Sequence, residues 1–248
     1  MIIIPMAGLS SRFKNAGYAK PKYMLEAHGK TLFSHSLDSF KKYFSTEKFL
    51  FIALDVDNTR EFIELECTGL GIENYDIVIL NSPTKGQAQT VYEGLKISDI
   101  TADEPLLIFN IDTFRPGFTY PDFFDVNHID GYLETFIGEG KNWSNILPKS
   151  EENYTVALTA EKKEISKYCC TGLYFWRYAK DFIRVFNEYQ QKSLNDVDAG
   201  EYYIAPMYNN LISEGADVRY SVISCSDVVF CGVPSEYENF LCSNYTIC

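Results

Sequence analysis

Ile2 to Pro5, Lys48 to Leu54, Tyr75 to Leu80 and Pro105 to Asn110 are short apolar runs rich in β-branched and aromatic residues, the pattern of buried strands. Between them the period changes. Leu32, Phe33, Ser36, Leu37 and Phe40 recur at helical spacing, and Arg60 to Leu70 reads as a helix ended by Gly71. Gly86 to Lys96 reads as an amphipathic helix with Ala88, Val91, Tyr92 and Leu95 on one side. Alternating strand and helix predict an α/β fold with a parallel sheet and right-handed crossovers. The second half loses this regularity. Tyr132 to Ile137, Tyr154 to Ala160 and Cys169 to Arg177 read as strands, and Ala179 to Tyr189 as a helix with Phe182, Ile183, Phe186 and Tyr189 inward. Glu201 to Glu214 reads as a helix stopped by Gly215, Val218 to Ile223 and Asp227 to Cys231 as short strands, and Pro234 opens a last helix.

The chain has 248 residues without an internal repeat or low-complexity linker, so one compact domain is expected. Hydrophobic content of 46% with 15% aromatics is ample for a packed core. The formal charge of −12, from 22 Lys and Arg against 34 Asp and Glu, argues against nucleic acid or anionic membrane as a partner, since both need a basic face. A positive site must therefore be local, and Arg12, Lys20 and Lys22 are where it falls. Met1 leads into a strand without a basic, then apolar, leader, and no run approaches the roughly 18 apolar residues of a membrane span. A cytoplasmic location is the expectation. The seven cysteines (Cys67, Cys169, Cys170, Cys225, Cys231, Cys242 and Cys248) are odd in number and form no C-x-x-C pair, which predicts free thiols rather than disulfides or a zinc site. Asn142-Trp143-Ser144 and Asn153-Tyr154-Thr155 match the glycosylation sequon, as chance matches in a cytosolic chain.

Candidate chemistry begins after the first strand, in the loop Ala7-Gly8-Leu9-Ser10-Ser11-Arg12. Small residues let backbone N–H groups approach phosphate oxygens closely, and cations neutralise their charge. Ligands of parallel sheets sit beyond the carboxyl ends of the strands, so this loop and Asp112, just past the fourth strand, can face one site. Two familiar phosphate motifs are excluded. Gly29-Lys30-Thr31 lacks the earlier glycine of a phosphate loop, whose place Met24 takes, and Gly8 is the sole glycine of a dinucleotide fingerprint. His28, His35 and His128 have no metal-ligand spacing and receive no catalytic role.

Ala7-Gly8-Leu9-Ser10-Ser11-Arg12, then Pro21-Lys22-Tyr23-Met24-Leu25 and Gly29-Lys30, resemble the signature of the sugar-phosphate nucleotidyltransferases. Thr84-Lys85-Gly86-Gln87-Ala88-Gln89-Thr90-Val91 is similar to that family's base-recognition segment, and Phe109-Asn110-Ile111-Asp112 to its metal-binding segment. Glu161-Lys162 and Thr171-Gly172-Leu173-Tyr174-Phe175 resemble its acceptor segments, and Glu201-Tyr202-Tyr203 and Gly232-Val233-Pro234 complete the series. The resemblance implies a Rossmann-like, mostly parallel mixed sheet flanked by helices, with residues 1–115 as a nucleotide-binding half and 116–248 as a smaller acceptor-binding lobe. The loop, with Gly17-Tyr18-Ala19-Lys20-Pro21-Lys22, is most similar to bacterial capsule-biosynthesis cytidylyltransferases such as the CTP:phosphoglutamine cytidylyltransferases. That implies CTP as donor and a phosphorylated small-molecule acceptor; the residues themselves select neither base nor acceptor, and they leave the oligomeric state open.

By the same resemblance Arg12, Lys22 and Asp112 are catalytic. The spacing to Lys30 fits the family from Lys22 and not from Lys20, which remains an auxiliary cation. Arg12 and Lys22 would bind the triphosphate and stabilise charge at the α-phosphorus and the departing pyrophosphate. Asp112 would hold Mg²⁺, or else cap a turn. Ala7, Gly8, Leu9, Ser10 and Ser11 would cradle phosphates, and Gly86, Gln87 and Ala88 would meet the base, the amide of Gln87 offering both donors and an acceptor. Lys162, Thr171, Gly172 and Glu201 would face the acceptor, although Lys162 also fits an ordinary charged turn and Glu201 the first turn of a helix. One departure stands out: the family's second metal aspartate, two residues before the last Gly-x-Pro glycine, is Phe230 here. A nucleotide-sugar glycosyltransferase and a nucleotide-binding pseudoenzyme are the alternatives; the first predicts Asp-x-Asp where this chain has Asn110-Ile111-Asp112, and Phe230 motivates the second.

Overall fold

The computed structural model describes residues 1–244, so Cys248 lies outside the described residues. In chain order the strands are β1 (Ile2–Met6), β2 (Glu26–Ala27), β3 (Lys30–Thr31), β4 (Phe49–Leu54), β5 (Tyr75–Leu80), β6 (Leu106–Phe109), β7 (Thr113–Phe114), β8 (Gly131–Ile137), β9 (Ser144–Ser150), β10 (Thr155–Glu161), β11 (Tyr168–Trp176), β12 (Val218–Ile223) and β13 (Val229–Phe230). The helices are α1 (Ser11–Asn15), α2 (Leu32–Asp38), α3 (Thr59–Leu70), α4 (Gln87–Ile97), α5 (Ala179–Tyr189), α6 (Tyr208–Ser213) and α7 (Pro234–Cys242).

A nine-stranded sheet in the order β5-β4-β1-β6-β11-β8-β12-β10-β9 forms the centre. β5, β4, β1 and β6 run parallel, with Ile2 of β1 between Phe49 and Leu107. β11 then enters antiparallel to β6, pairing Tyr174 with Ile108, and most of the second-half pairings are antiparallel. β1 is buried along its whole length, because its two sides serve two cores. Ile2 and Ile4 pack with Phe33 and Leu37 of α2 and Ile63 of α3; Ile3 packs into the core that holds Val91 of α4 and Phe182 and Phe186 of α5. A third, smaller core joins Phe13 of α1, Leu32 and Phe114 to Tyr237 and Phe240 of α7, which draws the end of the described chain back to the first loop.

Three expectations need correction. The helix expected over Glu201 to Glu214 starts later: a 3₁₀ turn at Ala205–Met207 precedes α6, and Glu201 is extended. The physical reason is that the Tyr202 backbone is committed elsewhere, its N–H donating to Lys85 O at 2.8 Å and its O accepting from Ala88 N at 2.9 Å. The strand expected over Asp227 to Cys231 shrinks to β13, after a 3₁₀ turn at Cys225–Asp227. β9 was not expected at all, since Pro148 and alternating polar residues mask it; it pairs with β10 on one side and, through Asn145 and Ile146, with β11 on the other, and Pro148 falls past the β11 pairing at an irregularity of the β10 ladder.

Candidate active site

The cleft opens at the carboxyl ends of β1 and β6 and has a volume of about 740 Å³. Ala7, Gly8, Leu9, Ser10, Ser11, Arg12, Lys22, Gly86, Gln87, Asp112, Lys162, Thr171, Gly172 and Glu201 all line it. Ala88 does not. Its side chain is fully buried and its N–H is taken by Tyr202, so it supports Gly86 and Gln87 from behind.

The first loop leaves β1 with the N–H groups of Gly8, Leu9 and Ser10 making no hydrogen bond among the described residues. Ser10 takes the left-handed conformation at φ 50°, and its Oγ accepts from the Lys22 N–H at 3.2 Å, which ties the loop to the Lys22 segment. Arg12 is exposed in the cleft and has no ion pair or side-chain hydrogen bond among the described residues. Lys22 reaches across to Asp112, its Nζ forming a short charge-assisted contact with Oδ2 while both side chains remain 21% exposed. This places a cation and a carboxylate side by side, open to a ligand.

Asp112 is held by the chain after β6 and by Cys231, whose N–H donates to Asp112 O at 2.8 Å. Gly232 faces its carboxylate: a Cβ there would stand 3.1 Å from Asp112 Oδ2, a tight contact that glycine avoids. Glu236 lies on the same side, but its Oε2 already accepts from the N–H groups of Gly232 at 2.8 Å and Val233 at 3.1 Å. Phe230 lines the cleft where the second metal aspartate was expected and packs against Trp143, the ring planes tilted by 53°. Among the described residues no group of three His, Cys, Asp or Glu side chains could hold a metal ion. Mg²⁺ commonly keeps several waters and takes one or two carboxylates plus substrate phosphates, so Asp112 fits that ion as a partner shared with a triphosphate.

On the base side Gln87 donates to Asn110 Oδ1, which leaves its Oε1 and second amide hydrogen for a ligand. Gly86 at φ 139° is forced: a Cβ would come within 2.5 Å of the Tyr202 backbone. On the acceptor side Lys162 sits at φ 51°, donates to the Tyr203 hydroxyl at 2.5 Å and lies 4.6 Å from that ring's centroid. Thr171 Oγ1 donates at 3.2 Å to the buried Glu134, which Arg115 holds through Nε at 3.1 Å. Burial pushes Glu161 up to about 7, with the Ser144 hydrogen bond and the Lys162 charge opposing the shift.

Sequence reasoning missed Asn110, Tyr203, Trp143 and Ser144 as cleft residues. Asn110 was legible, lying two residues before Asp112 at a strand end. Tyr203 was legible too, two residues after Glu201, whereas Trp143 and Ser144 lie outside every motif of the resemblance.

Fold and cleft define an α/β nucleotidyltransferase. No family model and no curated protein matches the chain. Among solved structures it is similar to the nucleoside-diphosphate-sugar pyrophosphorylase from Vibrio cholerae RC9, at 47% identity over 98% of this chain and 100% of that one, with a TM-score of 0.93. The chain belongs to that nucleoside-diphosphate-sugar pyrophosphorylase family of nucleotidyltransferases. The inositol-1-phosphate CTP transferase from T. maritima, 15% identical over 100% of this chain and 97% of that one with a TM-score of 0.73, shares the fold. So does a protein assigned as a glucose-1-phosphate thymidylyltransferase from Bacillus anthracis, 15% identical over 99% and 96% with a TM-score of 0.73. Family membership decides against the glycosyltransferase alternative.

Proposed function

We propose that the enzyme joins a nucleoside triphosphate, CTP by resemblance of its first loop, to a phosphorylated small molecule with release of pyrophosphate. Residues 1–115 bind the nucleotide and the remainder the acceptor. The observation that carries this reading is the meeting of Arg12, Lys22 and Asp112 with an open small-residue loop in one cleft, opposite Lys162 and Thr171. An acceptor phosphate oxygen attacks the α-phosphorus in line, the bond to the β-phosphate bridging oxygen breaks, and pyrophosphate leaves with the electron pair. The attacking oxyanion needs no general base, so positioning and charge stabilisation carry the rate. Arg12 and Lys22 hold the phosphates and offset the charge that develops on the departing group. Asp112 would hold Mg²⁺, which when bound supplies further neutralisation of the triphosphate.

Two acceptor chemistries have support. The first loop's likeness to capsule-biosynthesis cytidylyltransferases nominates phosphoglutamine and a role in capsular polysaccharide assembly. The name of the 47% identical relative nominates a sugar phosphate. The test is pyrophosphate release with each of the common nucleoside triphosphates against a panel containing both acceptor types, under Mg²⁺. CTP should give the highest kcat/KM; a preference for another triphosphate overturns the donor assignment.

A further inference from the structure

Asn110 lies in the cleft where β6 ends, between Gln87 of α4, Gly172 of β11 and Asp112. Its backbone is held from both sides. Its N–H donates to Gly172 O at 3.2 Å, and its O accepts from Thr113 N at 3.2 Å and from Ser36 Oγ at 3.3 Å. Its side chain lies against Gly172: a Cβ on that residue, which sits at φ 96°, would come within 2.4 Å of Asn110 Nδ2 and 2.7 Å of Cγ. Glycine at position 172 therefore makes room for this amide. The amide in turn reaches Gln87, its Oδ1 accepting from Gln87 Nε2.

That contact acts on a side chain whose backbone is already fixed. Gln87 opens α4 directly after Gly86, and Tyr202 brackets the pair, its N–H donating to Lys85 O at 2.8 Å and its O accepting from Ala88 N at 2.9 Å. The last torsion of a glutamine is broad and roughly two-fold, so the side chain alone does not decide which end of its amide carries the oxygen. The choice changes what the residue reads. With one N–H committed to Asn110, Gln87 shows its Oε1 and its other N–H to the cleft in one fixed order. Cytosine offers an amino donor beside a ring-nitrogen acceptor, whereas uracil offers a carbonyl acceptor beside a ring N–H donor. The two bases thus require opposite orders. Turning the Gln87 amide over would set its oxygen against Asn110 Oδ1, two acceptors facing each other without a hydrogen. Residue 110 therefore selects between the two orientations.

We propose that Asn110 is a positioning residue for base choice: it holds one end of the Gln87 amide, fixes the order of donor and acceptor shown to the base, and so sets the preference between CTP and UTP. This rests on the nucleotidyl-transfer reading above, with Gln87 meeting the base. Calorimetric titration of the protein with CTP and with UTP, under Mg²⁺ and without acceptor, gives the ratio of the two dissociation constants. Wild type should favour CTP by at least about tenfold, and Asn110→Ala should bring the ratio to about twofold or less. Gln87→Ala should lose the same discrimination, and the double variant should lose no more than either alone. Asn110→Asp carries acceptors only, so it must take the same end of the amide and should keep the order of preference that Asn110→Ala loses. A merely structural defect weakens both nucleotides together and leaves the ratio unchanged. A wild-type ratio retained in Asn110→Ala therefore overturns the proposal, as do losses in the two alanine variants that simply add. So does a wild type without preference, or a preference reversed in Asn110→Asp. Absence of pyrophosphate release with every acceptor overturns the transfer reading instead, and the binding ratios then decide the role of Asn110 by themselves.

Discussion

Lys22 and Asp112 neutralise each other in the cleft, and a bound triphosphate would separate their tasks. The ammonium then faces phosphate oxygens while the carboxylate is released to a cation. Lys22→Ala should lower kcat/KM by at least about tenfold, roughly 1.4 kcal/mol of transition-state stabilisation; steady-state kinetics returning the wild-type value would move the catalytic lysine elsewhere. Glu161 makes a different prediction. Its folded-state carboxyl titrates near 7 against a usual 4.5, so the folded protein holds a proton that the unfolded chain has released between those values. Stability from this group is therefore lost as pH rises from about 4.5 to about 7, by an amount on the order of 3 kcal/mol. Glu161→Gln keeps an acceptor for Ser144 and removes the titration. Its denaturation midpoint should exceed wild type at pH 8, with the gap closing by pH 4.5; a gap independent of pH would rule out the buried carboxyl as its source.

The element that joins the two sides of the cleft is the extended segment before α6. Tyr202 closes onto Lys85 and Ala88 beside the base segment, while Asp198 accepts from the Glu161 N–H at 3.0 Å and Tyr203 receives Lys162. Gly86→Ala would drive a Cβ into the Tyr202 backbone at a φ of 139°, and should cost about 2 kcal/mol or more. An unchanged urea midpoint would show that the segment yields freely. This segment is also where sequence reading failed. Its Glu201-Tyr202-Tyr203 start continues the helical periodicity of the residues up to Glu214, but backbone hydrogen bonds to a stretch more than 100 residues away outweigh that local preference. By contrast β5 and α5 follow their apolar patterns to the residue, because β5 sets Val78 and Leu80 into one core and Tyr75, Ile77 and Ile79 against another, while α5 turns one face to a single core. The loop and Asp112 were readable because they follow β1 and β6, whereas Lys22, which opens a 3₁₀ turn at Lys22–Met24, was read from the resemblance. Trp143 and Ser144 were hidden by β9, whose proline and polar residues disguise it.

At the scale of the molecule, a parallel first half and a largely antiparallel second half share one sheet through β6 and β11. Against the net charge of −12, the first-loop side of the cleft sets Arg12 and the paired Lys22, so an anionic ligand would be met there by individual cations rather than by an attractive overall field. No helix among the described residues is long and apolar enough to cross a membrane. The central claim is that one cleft forms a new diphosphate linkage between a nucleoside monophosphate and an acceptor phosphate. Phosphorus NMR of a reaction containing triphosphate, phosphorylated acceptor and Mg²⁺ tests this directly. The account predicts paired diphosphate resonances of the conjugate together with stoichiometric pyrophosphate, both lost in Lys22→Ala. Nucleoside diphosphate and inorganic phosphate as the products, or no change in the wild-type spectrum with any pair, would contradict it.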